Sequence, residues 1–331
     1  MRRQRWIPLV VATALGCGGG GSSGSGGSSS SSDGSSGGAD TTTTAAESSS
    51  SVTTGSSEAG SSSSTSMGMT TVADSGETTS GGLGTSPGCG TDPGSVMSGT
   101  IDVDGEQRSY LLVLPPDYDR DHAYPIVFGF HGQGGDSALA QSIYQLEDFW
   151  PEPVIVVYPQ GLMQVGTETG WDLAENGVDI AFFDAMANAF AQQLCLDLDH
   201  IFAMGFSFGA YMSNYLACYR GSYIRGFAAV AGGGPNPGDT CQAPIGAMIS
   251  HGTTDDVVPL TQGEASRNKW IAVNGCSDES SSWVPDDPDM LPTECLDYQG
   301  CERPTTWCTH IATHTWRSWM NVEIPRFLTS I

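Results

Sequence analysis

Apolar positions fall into two regimes along this chain. After a short N-terminal run they nearly vanish until about residue 88, and beyond it they recur with spacings that alternate between strand-like and helix-like. "SGTIDVDGEQRSYLLVLPPDYD", residues 98–119, predicts two strands around an Asp-Gly turn, ending at a Pro-Pro stop. "YPIVFGFHGQGGD" reads as a buried strand entering a glycine-rich loop, and "SALAQSIYQLEDF" after it as a helix. "VIVVYPQG" is a continuous apolar run, the pattern of a strand covered on both faces of a parallel sheet. "VDIAFFDAMANAFAQQL" carries apolar residues at helical spacing and leads into the strand "HIFAMGF". After the next helix come two short strands, "GFAAVAGG" and "IGAMISHG". This alternation predicts right-handed crossovers and a mostly parallel central sheet with helices on both faces. Chemistry is then expected at the carboxyl ends of the strands.

The early apolar run, "WIPLVVATAL", lies between a basic "MRRQR" and Cys17. That is the layout of an export signal, too short to span a membrane as a mature helix. "ALGC" at 14–17 has the form of a lipobox that would acylate Cys17, with cleavage after "ATA" as the alternative. Of nine cysteines, eight remain if Cys17 is lipidated, an even number suited to disulfides in an oxidising compartment. Residues 1–17 are thus expected to direct export, to the cell surface or beyond. Residues 18–88 are mostly Gly, Ser, Thr and Ala, which cannot bury enough surface to offset their ordering entropy, and they are expected as a disordered tether. Residues 89–331 hold all ten tyrosines and seven of the eight tryptophans, enough for one domain with a sizeable core. The formal net charge is −25, and three of only twelve basic residues lie in the export segment. That balance argues against nucleic acid or an anionic membrane as partner, leaving a lipid anchor as the membrane contact to expect.

"DHIFAMGFSFGAYMSNYLACYRG", residues 199–221, holds a serine between two glycines. The bare pattern G-x-S-x-G also occurs in "GGSSG", "GSSGG" and "GTSPG", so it carries no weight by itself. Ser207 alone has a strand before it and a helix after it, the setting of a nucleophile elbow. A serine hydroxyl needs a base within reach and an acid to orient that base, here in the chain order Ser, acid, His. "ISHGTTDDVVP" offers Asp255, with Asp256 as neighbour and competitor, and "THIATHTWRSW" offers His314, with His310 four residues before it. Two histidines at that spacing can also be metal ligands, but a metal site wants a third ligand and a helix. Backbone N–H groups of Phe208 and of Gln133 in "HGQGG" are the candidates to meet an oxyanion. Trp171 in "TGWDL" and Trp316 beside His314 are candidates for an aromatic wall against a phenolic acid or sugar, or else loop anchors.

Taken together, "HGQGG", "YPQG", "WDLAENGVDIAFFDAM", "FAMGFSFGAYMSNYLAC", "HGTTDDVVP" and "CLDYQGCERPTTWCTHIATHTW" resemble the feruloyl and acetylxylan esterases of carbohydrate esterase family 1 and their polyhydroxybutyrate depolymerase relatives. The resemblance covers most of residues 89–331, with the motifs in the family's order. It implies an α/β-hydrolase fold, a triad of Ser207, Asp255 and His314, no cofactor or metal, and a monomer acting on esters of plant cell-wall polysaccharide. A polyester depolymerase is the enzymatic rival, and a tethered binding module without catalysis is the alternative of another class. Two departures stand out: "ATHTW" lacks the glycines usual before the histidine, and "SFGA" puts a bulky phenylalanine beside the serine. Cys276, Cys295, Cys301 and Cys308 crowd into the segment ahead of His314, where crosslinks could hold a loop-rich stretch, and their pairing stays open.

Overall fold

The computed structural model describes residues 83–165, 168–286 and 293–331. The expected export segment with Cys17, and most of the expected tether, lie outside the described residues. In chain order the elements are β1 (Thr100–Val103), β2 (Glu106–Val113), β3 (Tyr124–Phe130), α1 (Ser137–Tyr144), α2 (Leu146–Phe149) and β4 (Ile155–Pro159). A small hairpin of β5 (Leu162–Val165) and β6 (Glu168–Gly170) precedes α3 (Val178–Gln193), β7 (Leu196–Phe206), α4 (Phe208–Tyr219), β8 (Gly226–Val230) and β9 (Gly246–Gly252). The chain closes with α5 (Leu260–Val273), β10 (Ser280–Trp283), β11 (Thr293–Tyr298), β12 (Thr305–His310) and α6 (Met320–Thr329).

Among the described residues ten strands form one sheet in the order β1-β2-β4-β3-β7-β8-β9-β12-β11-β10. The centre, from β4 to β12, is parallel, while β1, β2, β10 and β11 add antiparallel edges. Period-2 alternation divides the strand side chains between two cores. Ile126, Phe128, Ile155, Val157, Ala203 and Phe227 face α3, α4 and α5; Val127, Val156, Phe202 and Ala228 face α1, α2 and α6. This is the mostly parallel sheet covered on both faces that the apolar runs predicted, in the α/β-hydrolase fold that the resemblance implied.

Three local outcomes differ from the sequence pattern. The helix expected over "SALAQSIYQLEDF" breaks at Gln145, whose φ is 47°. Its cause is tertiary: the Asn321 side chain donates to the carbonyls of Ile143 and Tyr144 and so removes acceptors for the next turn. Next, the fold begins earlier than residue 89. Thr85 bridges Asp197, and the Ser86 hydroxyl donates to the Leu194 carbonyl at 2.6 Å while accepting from the Leu196 amide at 2.8 Å. Backbone pairing and a small hydroxyl suffice there, without the apolar side chains that sequence reading looks for. Finally, β5, β6, β10 and β11 had no expected counterpart: all are short, and β6, β10 and β11 are largely polar as well.

All eight cysteines outside the export segment are bridged: Cys89–Cys195, Cys218–Cys241, Cys276–Cys301 and Cys295–Cys308. The last joins residues that stand directly opposite each other in the β11–β12 ladder.

Candidate active site

Ser207 is the whole turn between β7 and α4, with φ 57° and ψ −121°. Such a conformation is strained for any residue with a Cβ and persists only where the surroundings fix it. They do so here: its amide donates to the Val230 carbonyl of β8 at 2.9 Å. A Cβ on Gly205 would collide with the backbone of Gly209, and one on Gly209 with the Phe130 carbonyl, so both flanking glycines are required by close approach.

His314 lies four residues past β12. Its Nε2 is 2.8 Å from Ser207 Oγ, and its Nδ1 is 2.8 Å from Asp255 Oδ2. The other Asp255 oxygen accepts from the amides of Val257 at 2.9 Å and Val258 at 2.8 Å. Burial would raise the Asp255 carboxyl, but the hydrogen bonds from His314 and from the Val258 and Val257 amides outweigh it and hold the pKa below the usual carboxylate range. An ionised carboxylate at that place fixes Nδ1–H and leaves Nε2 facing the hydroxyl. The two competitors separate cleanly: Asp256 is exposed, and His310 is buried against the Trp319 ring at 6.4 Å.

The amides of Phe208, the first residue of α4, and of Gln133 have no hydrogen-bond partner among the described residues. The Gln133 loop is held by His131, whose buried ring has its pKa lowered by desolvation. Its Nδ1 donates to the Gly132 carbonyl at 2.7 Å, and its Nε2 accepts from the Gly161 amide at 3.0 Å. The Gln133 side chain donates to Glu168 at 2.6 Å, which ties the same loop to β6. Beside the serine opens a cleft of about 370 Å³, walled by Leu139, Ile143, Tyr144 and Phe206. That volume suits a small organic ligand.

These features are set among known proteins by comparison. A Phospholipase/Carboxylesterase family profile matches residues 183–293. A protein named "Probable feruloyl esterase C" from Aspergillus clavatus is 34% identical over 227 residues, covering 66% of this chain and 79% of that one. This chain belongs to the feruloyl esterase family. Feruloyl esterase C of Emericella nidulans is 32% identical over 231 residues, covering 66% of this chain and 80% of its own. Among solved structures, an acetyl xylan esterase from Aspergillus awamori shares the fold, with a TM-score of 0.53 at 15% identity over 70% of this chain and 98% of that one. The protein is a carboxylic ester hydrolase of the feruloyl esterase type.

Within this esterase the tryptophans take other places than an aromatic wall. Trp171 is buried at 2% exposure, with its Nε1 donating to the His131 carbonyl at 2.8 Å and its ring edge-on to Phe130. It is a loop anchor, because the adjacent Asp172 amide is held by Asp179, itself paired with Arg108. Trp316 sits behind the cleft wall, 4.7 Å from the Tyr144 ring and bonded through Nε1 to Asn321 at 2.8 Å. The bulky Phe208 side chain packs toward the α4-side core, and Phe206 lines the cleft instead.

Several residues of the esterase site escaped the sequence reading. His251, at the end of β9, lies behind Asp255: its Nε2 donates to the Val258 carbonyl at 2.9 Å and is 3.4 Å from Asp255 Oδ2. Desolvation lowers its pKa, so it stays neutral beside the carboxylate. His251 and His131 were both visible in the motifs "SHG" and "HGQGG", where a histidine opens a loop at a strand end. Asn321 and Tyr144 left no such mark.

Proposed function

We propose that this esterase hydrolyses feruloyl or acetyl esters carried on plant cell-wall polysaccharide, through an acyl-enzyme on Ser207. The observation that carries the reading is the continuous hydrogen-bonded path from Asp255 through His314 to Ser207, 2.8 Å at each link. In this scheme His314 Nε2 takes the hydroxyl proton as Oγ attacks the ester carbonyl carbon. The oxyanion of the tetrahedral intermediate accepts from the Phe208 and Gln133 amides, an interaction whose loss typically lowers turnover about 10²–10³-fold per donor. Collapse breaks the carbon–oxygen bond to the leaving alcohol, which receives the proton from His314. Water then attacks the acyl-enzyme by the same path and releases the acid.

The acyl preference is supported by the names of the relatives and by the mostly apolar cleft, which fits a phenolic ring better than a charged group. Four disulfides support an oxidising, exported setting, with lipid attachment through Cys17 as part of the same proposal.

A fluorophosphonate probe should label the wild-type protein and leave Ser207→Ala unlabelled. Initial rates on methyl ferulate, acetylated xylan and polyhydroxybutyrate then identify the acyl group, with methyl ferulate expected fastest. Absence of Ser207-dependent labelling would remove the mechanism, and a preference for the polyester would replace the substrate.

A further inference from the structure

A cavity of about 590 Å³ lies away from Ser207, at the amino ends of the central strands. Arg225 stands just before β8 and Arg303 just before β12, and both line it. In a chain with 37 acidic and twelve basic residues, a cation without a counter-charge is unusual. Arg108, Arg120, Arg220 and Arg326 each hold a carboxylate, Lys269 holds the Pro237 and Asp239 carbonyls, and Arg267 lies over the Trp307 ring. Arg317 is engaged as well. Arg225 and Arg303 make no such contact among the described residues, Asp199 acting on Arg225 only through space, and Arg225 Nε is buried without an acceptor. Two like charges have thus been brought to one pocket, at a cost in desolvation and repulsion that lowers the Arg225 pKa.

The surroundings specify what would relieve that cost. Asp199 also lines the pocket, but its two oxygens accept from the Leu83 amide at 2.8 Å and the Gly84 amide at 3.4 Å. One net positive charge is left over, which matches a monoanion. A bare anion would not need the volume. The remaining lining is more polar than apolar: His200, Tyr223 and the exposed Ser222 stand with the arginines, beside Ile224 and Ile245 that are themselves buried, a setting that can hydrogen-bond the hydroxyls of a sugar ring.

We propose that this cavity binds the carboxylate of an acidic sugar, with Arg225 and Arg303 as its ligands, as a second polysaccharide site on the side of the sheet opposite the nucleophile. The polymer as source rests on the esterase reading above, whereas recognition of the carboxylate does not. Planar guanidinium groups suit a planar carboxylate, which they grip through paired N–H donors.

Calorimetric titration of the full-length protein with a glucuronic-acid-bearing xylo-oligosaccharide, its neutral counterpart and free glucuronate tests the site. The acidic oligosaccharide is expected to bind about tenfold or more tightly than the neutral one, and Arg225→Gln with Arg303→Gln should erase that preference. The rate on methyl ferulate should stay within about twofold in the same variant, so a failure of binding and a failure of the esterase reading are read on separate assays. Should the double variant not fold, Arg303→Gln alone, at a partly exposed position, must still reduce the preference. Glucuronate binding as tightly as the oligosaccharide would keep the carboxylate site and assign it to free acid, overturning the polymer as source. Equal affinity for acidic and neutral oligosaccharides, or a preference that survives both substitutions, would overturn the proposal.

Discussion

Ser207 and His314 meet at 2.8 Å, yet the segments that bring them there are built on different principles. The serine is set by backbone demand. A positive φ, two glycines with no room for a Cβ and a strand-to-helix junction all lie within five residues of one another. The histidine is set by distant partners. The loop after β12 bonds back through the Thr253 and Thr254 amides, the Phe206 ring lies 4.7 Å from the imidazole, and Trp316 is fastened through Asn321 to the end of α1. A serine whose position is written locally is easily found by motif, whereas a histidine positioned by packing tolerates changes in its own loop. That accounts for the missing glycines of "ATHTW": nothing in the residues before His314 adopts a left-handed backbone that would require them.

The largest effects should show that the two segments work as one unit. Ser207→Ala and His314→Ala are each expected to lower kcat by about 10⁴–10⁶-fold, with the double variant no worse than the singles, in steady-state assays on methyl ferulate. The two segments should then part company under backbone changes. Gly209→Ala must displace the Phe130 carbonyl, at a cost of about 1–3 kcal/mol and about 10²-fold in kcat, while Ala312→Gly changes kcat by less than about threefold. If Ala312→Gly proves as harmful as Gly209→Ala, the contrast fails.

Removing a distant prop is expected to matter less. Asn321→Ala leaves the Trp316 indole N–H and the Ile143 and Tyr144 carbonyls without their partner, for a loss of about 1–3 kcal/mol in urea unfolding and about tenfold in kcat with KM little changed. The smallest effect is a pH dependence of stability. Burial lowers the pKa of His131 on the serine side and of His251 on the base side, so the unfolded chain takes up protons first as pH falls below about 6.5. Stability therefore declines from pH 7.5 to 5.5, by at most about 1.4 kcal/mol per pH unit for each histidine, and His131→Gln should flatten the urea midpoint profile.

Much of this was legible in the sequence because it repeats at short range. The apolar runs of β3, β4, β7, β8 and β9 announced the parallel core, and the order of Ser207, Asp255 and His314 matched the topology that joins them. What stayed hidden depends on partners far along the chain. Trp171 reads equally as an aromatic wall or a loop anchor until its indole is seen to hold the His131 carbonyl, forty residues away. β10, "SSSW", has neither alternation nor β-branched residues, and becomes a strand because β11 offers it a ladder. The break at Gln145 belongs to Asn321, and no window around residue 145 contains it.

The Cys89–Cys195 bridge and the Ser86 hydrogen bonds fasten the chain at the start of β7, and Ser207 follows the end of that same strand, eleven residues long. That fastening and Ser207 are therefore separated by the length of the strand, roughly 35 Å for eleven residues. Tension arriving ahead of Leu83 would be borne by a covalent link at the base and would leave the reactive rim undistorted.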